Sequence, residues 1–176
     1  MNPIRTLTIL GIDPGTRNLG YGWIEVDASR PEDVYGRGCG VLRASAKDDV
    51  ATRLSILMGE LEKVIADCRP AIVTVEKVFL GKSVESAFVL GQARGVVLAL
   101  AARSGAMVRE EAAVSAKKSV TGSGASEKTE VRFMLSKLLK MGQELDSVPL
   151  DASDALALAY HTWRRLCVET MLDGRV

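Results

Sequence analysis

Apolar residues recur along this chain with two different periods. Leu7-Thr8-Ile9-Leu10, followed by Ile12, is an apolar run with a β-branched centre and predicts a buried first strand. Asp13-Pro14-Gly15 ends it as a turn, because Pro fixes φ and Gly tolerates positive φ. Gly20–Val26 follows at hairpin distance as a second strand, and Val34–Arg43 as a third whose start is softened by Gly36 and Gly38. Three successive antiparallel strands are expected. The period then changes. Val50, Leu54, Leu57, Leu61, Val64 and Ile65 are spaced by threes and fours, which predicts an amphipathic helix over Asp48–Cys68 that Arg69-Pro70 ends. Ala71–Val75 is short and nearly continuously apolar, as expected of an interior strand returning beside the first.

The second half is mostly helical in pattern. Val84–Arg103 is a long Ala/Leu/Val helix carrying Gly91 and Gly95. Small residues four apart allow another helix to approach closely, so this helix lies either deep in the core or at a subunit contact. Ala106–Arg109 predicts a short strand, Glu111–Val120 a short helix or loop, and Ser126–Met141 a helix with Ser126 as its N-cap. Gly142–Pro149 is a loop before the last helix, Leu150–Val168. The elements make an α/β chain, and its length suits a single domain over 1–176.

Composition narrows the class. Hydrophobic residues make up 47% and charged residues 26%, ordinary values for a soluble globular protein. No secretory leader is expected from the short polar start, and the apolar stretch Gly95–Ala102 is too short to span a membrane. Cys39, Cys68 and Cys167 are odd in number and far apart, which fits a reducing cytoplasm better than a zinc site or a disulfide framework. The net charge of +1 announces no nucleic-acid binder, but its distribution is uneven. Residues 77–140 hold eleven Lys or Arg against five Asp or Glu, and the rest hold twelve against seventeen. That is either a basic face for a polyanion or an ordinary mixed surface.

The candidate chemistry is carboxylate chemistry. Asp13 ends the first strand and Glu76 ends the returning one, and strand tips of an α/β sheet are where sites are usually built. Asp151 and Asp154 lie three apart at the start of the last helix and so share a face. Each has an ordinary alternative, Asp13 as a turn cap and the Asp151/Asp154 pair as an acidic helix start. Brought together, four acids would repel, and one would take up a proton unless a divalent cation neutralised them. Mg²⁺ prefers oxygen ligands, and two such ions can drive phosphodiester cleavage. The single His161 cannot anchor a His-rich site. It lies seven after Asp154, where it either assists that site or serves as a core or surface residue. Gly122-Ser-Gly124 lacks the third glycine of a dinucleotide fingerprint, and there is no Walker A lysine.

Five segments then occur in an order that resembles one family. They are Gly11-Ile-Asp-Pro-Gly-Thr-Arg-Asn-Leu-Gly-Tyr-Gly22, Val75-Glu-Lys-Val-Phe79, Leu90-Gly-Gln-Ala-Arg-Gly95, Gly122-Ser-Gly-Ala-Ser-Glu-Lys128 and Asp151-Ala-Ser-Asp-Ala-Leu-Ala157. Together they resemble the RuvC family of crossover (Holliday) junction endodeoxyribonucleases over roughly Leu7 to Trp163. The resemblance implies an RNase H-like fold, with a central mixed five-stranded sheet flanked by helices. It implies a Mg²⁺-dependent nuclease that resolves four-way junction DNA by paired, symmetric cuts in recombination and repair. Two ions per site are implied, with Mn²⁺ able to substitute.

Carried over by position, Asp13, Glu76, Asp151 and Asp154 match the family's catalytic metal ligands. Phe79 matches an aromatic that stacks on unpaired bases at the junction centre, or is a core residue after a strand. Lys117 and Lys128 match basic residues that contact the DNA backbone. A cytoplasmic homodimer is implied, working with a junction-binding tetramer and a branch-migration helicase (RuvA and RuvB). An actin-like or sugar-kinase ATPase would need a second phosphate loop and a duplicated domain, for which 176 residues leave no room. A non-catalytic junction-binding module would not need all four acids.

Overall fold

Strand alternation decides which side chains of this protein meet which helices. The computed structural model describes residues 6–27, 30–77 and 84–172. Strands β1 (Thr6–Asp13), β2 (Asn18–Asp27) and β3 (Arg30–Arg43) form an antiparallel meander. Strands β4 (Ile72–Glu76) and β5 (Met107–Glu111) add parallel to β1 on its other side, giving the order β3-β2-β1-β4-β5. The expected mixed five-stranded sheet is therefore present, with β3 starting earlier than its pattern suggests.

Odd and even positions of β1 go to different layers. Leu10 and Ile12 join Val73 and Val75 of β4 against α1 (Val50–Cys68) and α2 (Val84–Arg103), burying Leu57, Leu61, Val97 and Leu100. Ile9, with Ile24, Val26 and Ile72, packs on the opposite face under α3 (Ala113–Thr121), α4 (Lys128–Leu138) and α5 (Leu150–Leu172). The parity that sends Ile9 toward α5 sends Asp13 there too, and Thr74 and Glu76 follow Ile72. Thr74 meets Thr162 of α5 hydroxyl to hydroxyl at 2.7 Å, which satisfies both groups in the core.

Local chemistry sets the helix ends. Asp49 caps α1 by accepting from the Thr52 amide at 2.8 Å, and Arg69 closes it in the left-handed region. Ser126 does not cap α4 as its sequence position suggests. Its hydroxyl donates instead to Thr121 Oγ1 at 2.8 Å, and Glu127 takes the cap position without a side-chain bond. The segment Gly142–Ser147, expected as loop, forms a short 3-10 helix.

The helix α2 is not deep in the core. It buries Ala93, Val97, Leu100 and Ala101, while Val84 and Phe88 are each 71% exposed. A Cβ built at Gly91 or Gly95 would meet nothing within 4 Å, so these glycines face open space. By length and composition alone α2 could also cross a membrane, being longer than the Gly95–Ala102 stretch that stands out in the sequence.

Two features hold α5 in place. The first is a glycine track beneath it. A Cβ on Gly11 would lie 1.9 Å from the Ala155 carbonyl, one on Gly20 2.3 Å from the Asp151 carbonyl, and one on Gly22 2.6 Å from Leu156. Only glycine lets the helix backbone lie this close to the strands. The second is a buried polar strap. Ser119 of α3 donates to His161 Nδ1 at 2.5 Å, and His161 Nε2–H faces Glu111 at the tip of β5 at 3.3 Å. Arg165 holds the other Glu111 oxygen at 2.7 Å, and Arg109 grips Glu169 through two bonds of 3.1 and 2.8 Å. Burial pushes the His161 pKa below its ordinary value, outweighing the nearby Glu111 charge. His161 is thus a neutral, satisfied core residue that bridges three elements.

The packing of α5 is testable in two ways. Gly11→Ala should lower stability by about 1–3 kcal/mol or more through overpacking, whereas Gly59→Ala, in open space on α1, should raise it by about 0.5–1 kcal/mol. Thermal melts of the two variants compare them directly, and equal melting points would refute the close-approach account. For His161, the unfolded chain binds a proton below the ordinary value of 6.5 that the native chain refuses. Stability should therefore be retained above that pH and fall as the pH drops below it. Denaturant titrations between about pH 5 and 7 should show a shallower pH slope for His161→Gln, and an unchanged slope would refute a neutral buried imidazole.

Candidate functional site

The β1–β4 register runs Ile9↔Ile72 through Ile12↔Val75, so Asp13 and Glu76 are the next residues in step at the same sheet end. Both face α5 by the alternation described above. Gly20 admits the first turn of α5 against the β2 side of Asp13, with the Asp13 Cβ 3.4 Å from the position a Gly20 Cβ would take. Asp151 and Asp154, three apart on that turn, then come over the strand tips. The carboxylate oxygens of Asp13, Asp151 and Asp154 lie within 4.8 Å of one another. Glu76 stands beside Asp13 and shares a hydrogen bond with it. All four predicted acids meet in one place.

Crowded carboxylates in a partly dry site cannot all stay ionised. Burial raises the Asp13 pKa to about 9, with further upward pushes from the Glu76 hydrogen bond and the charges of Glu76, Asp154 and Asp151. Burial also raises Asp154, against the downward pull of Lys128 and Lys117. Lys128, at the start of α4, pairs with Asp154 at close range and with Asp151 at 3.5 Å. Burial disfavours its charge, but these bonds and the acid charges hold its pKa above the ordinary value. Lys117 on α3 donates to the Ser126 carbonyl at 3.0 Å, which fixes its stem beside the site. Asp13, Glu76, Asp154, Lys117 and Lys128 line one cavity of about 210 Å³. A neighbouring cavity of about 270 Å³ shares Asp13 and Glu76 and reaches Lys77 and Leu90.

The donor set decides which cofactor fits. The acids supply hard oxygen ligands only, and burial together with the neighbouring acid charges disfavours an ionised Asp13 that has no cation beside it. Both suit a hard divalent cation such as Mg²⁺. His161 does not line either of these cavities, since its ring is committed to Ser119 and Glu111. Phe79 lies outside the described residues.

Sequence reasoning missed Glu111. It pairs in register with Glu76 on the neighbouring strand, and its burial with His161 and Arg165 fixes the strand tip next to the site. An Asp or Glu closing each of β1, β4 and β5 was the available signal.

Comparison with known proteins places this arrangement. The family model described as crossover junction endodeoxyribonuclease RuvC matches residues 9–161. A crossover junction endodeoxyribonuclease RuvC from Chlorobaculum parvum is 43% identical over 154 residues, spanning 88% of this chain and 80% of the relative. Another, from Heliobacterium modesticaldum, is 42% identical over 87% of this chain and 91% of its own length. Among solved structures, RuvC of T. thermophilus in complex with Holliday junction substrate superposes with a TM-score of 0.78 at 28% identity, covering 88% of this chain and 92% of that one. The yeast mitochondrial Holliday junction resolvase Ydc2 shares the fold at a TM-score of 0.65 and 12% identity, over 89% of this chain and 77% of that one. The fold is thus RNase H-like, and with a family model matched across most of its length, this chain belongs to the RuvC family of crossover junction endodeoxyribonucleases.

Proposed function

We propose that this protein cuts four-way DNA junctions by metal-dependent phosphodiester hydrolysis, resolving them in recombination and repair. The observation that carries the reading is the convergence of Asp13, Asp151 and Asp154 within 4.8 Å, beside Glu76, in a member of the RuvC family. These four acids hold the divalent ions, Mg²⁺ by preference with Mn²⁺ as a substitute. Bound there, such ions would supply Lewis-acid activation of a water and charge neutralisation at the leaving oxygen.

The remaining groups bind and orient DNA. Lys117 and Lys128 sit on the rim of the acid cavity, where ammonium groups meet the phosphates flanking the cut. Lys128 is a counter-ion to Asp151 and Asp154 on the cavity wall, a position from which its ammonium can also reach a phosphate of the strand being cut. Phe79 follows Glu76 by three residues and, by the family pattern, stacks on an unpaired base, an interaction worth about 1–3 kcal/mol.

Two cuts of like polarity across a two-fold junction call for two copies of the site. The exposed face of α2, with Val84 and Phe88 uncovered and open space at Gly91 and Gly95, supports a homodimer built on this helix. Family membership further supports a cytoplasmic protein acting with a junction-binding tetramer and a branch-migration helicase (RuvA and RuvB).

Asp13→Asn removes a metal ligand and no group that binds DNA. Its nicking rate on a labelled junction should fall by more than the roughly 10–100-fold typical of losing an outer-shell metal partner, with junction binding kept. Undiminished nicking would refute the metal-site assignment. Phe79→Ala should slow cleavage more than it weakens binding, and a large drop in melting temperature would instead assign Phe79 to the core.

A further inference from the structure

Beside the β1–β2 turn lies a cleft of about 280 Å³ lined by Thr16, Arg17, Arg53, Glu85, Ser86 and Leu90, among others. Leu90 also lines the cavity that contains Asp13 and Glu76, so cleft and acid site meet across one side chain. Arg53 is 8% exposed, and its Nε has no hydrogen-bond partner. Among the described residues neither Arg53 nor Arg17 forms an ion pair. Asp49, one turn before Arg53, spends its carboxylate on Thr52 as the helix cap, and the Arg53 charge acts on it only beyond ion-pair distance.

A buried guanidinium without a paired anion is costly, and proteins seldom keep one without a use for its charge. Arginine's planar fork matches phosphate oxygens, and hydroxyls are common phosphate donors. Two arginines and the Thr16 hydroxyl outnumber the single acid, Glu85, on this cleft. We propose that the Arg17–Arg53 cleft binds a backbone phosphodiester of the same DNA strand whose scissile phosphate lies at the acids. The cleft sets the path of the strand as it leaves the site, past Leu90 and over the turn at Thr16. The proposal rests on the junction-nuclease reading.

The test uses the full-length protein and a synthetic four-way junction, bound in Ca²⁺ so that it is not cut. Single neutral methylphosphonates are placed one at a time along the strand that carries the cut. Wild-type protein should lose about tenfold in affinity at one position beside the cut, apart from the scissile phosphate. In Arg17→Gln and Arg53→Gln the same methylphosphonate should cost nothing further. The slope of log affinity against log salt should flatten by about 0.9 for each phosphate no longer neutralised. Arg17 is exposed, so its variant carries the test if Arg53→Gln does not fold. Retention of the full methylphosphonate penalty and salt slope by the variants would overturn the cleft assignment while leaving the nuclease reading intact. A wild-type protein that neither binds the junction nor nicks it in Mg²⁺ would overturn both.

Discussion

The site depends on how closely a helix can lie on a sheet. The α5 backbone runs over Gly11 and Gly20, where a Cβ would lie 1.9 and 2.3 Å from its carbonyls, and the Leu156 side chain fills the space over Gly22. Spacing at an ordinary side-chain distance would lift Asp151 and Asp154 away from Asp13 and dissolve the carboxylate cluster. Buried alanines on the helix side, Ala152, Ala155 and Ala159, match the missing side chains on the sheet side. The polar strap from Ser119 through His161 to Glu111 fixes the same helix farther along. Packing and polar pairing thus converge on one helix, and the helix converges on the strand tips.

That geometry creates an electrostatic problem which the chemistry uses. Burial, reinforced by the Glu76 hydrogen bond and the neighbouring acid charges, raises the Asp13 pKa to about 9. Lys128 answers part of it by bridging Asp151 and Asp154. The remaining acid cluster suits a hard divalent cation, an ion able to drive phosphodiester hydrolysis. The lysines beside the acids and the arginines beside the β1–β2 turn then form a positive border around an acidic centre.

Much of this was legible in the residues. Asp13 and Glu76 could be found because each ends an apolar run, and Asp151 with Asp154 because a spacing of three selects one helix face. The sheet order followed from a meander, then an interior strand returning beside the first. Long-range partners were not legible. His161 keeps helical register with Asp154, yet it belongs to a strap whose other ends, Ser119 and Glu111, lie on elements that periodicity cannot bring together. Ser126 has the composition of a cap, but its hydroxyl donates to Thr121 and Glu127 holds the cap position of α4. Arg53 falls between the apolar positions of an amphipathic helix, and only the fold reveals it as buried beside the turn that follows Asp13. Gly91 and Gly95 left core and interface open, and the empty space around them removes the core alternative.

The central claim is that the acid cluster cuts junction DNA with a divalent cation. Its most direct test is a nicking assay on an end-labelled four-way junction, with linear duplex and chelator controls. Paired, symmetric cuts on the junction that require Mg²⁺ and are absent from the duplex are the predicted result. Tight junction binding without any cut in Mg²⁺ or Mn²⁺, with all four acids intact, would contradict it.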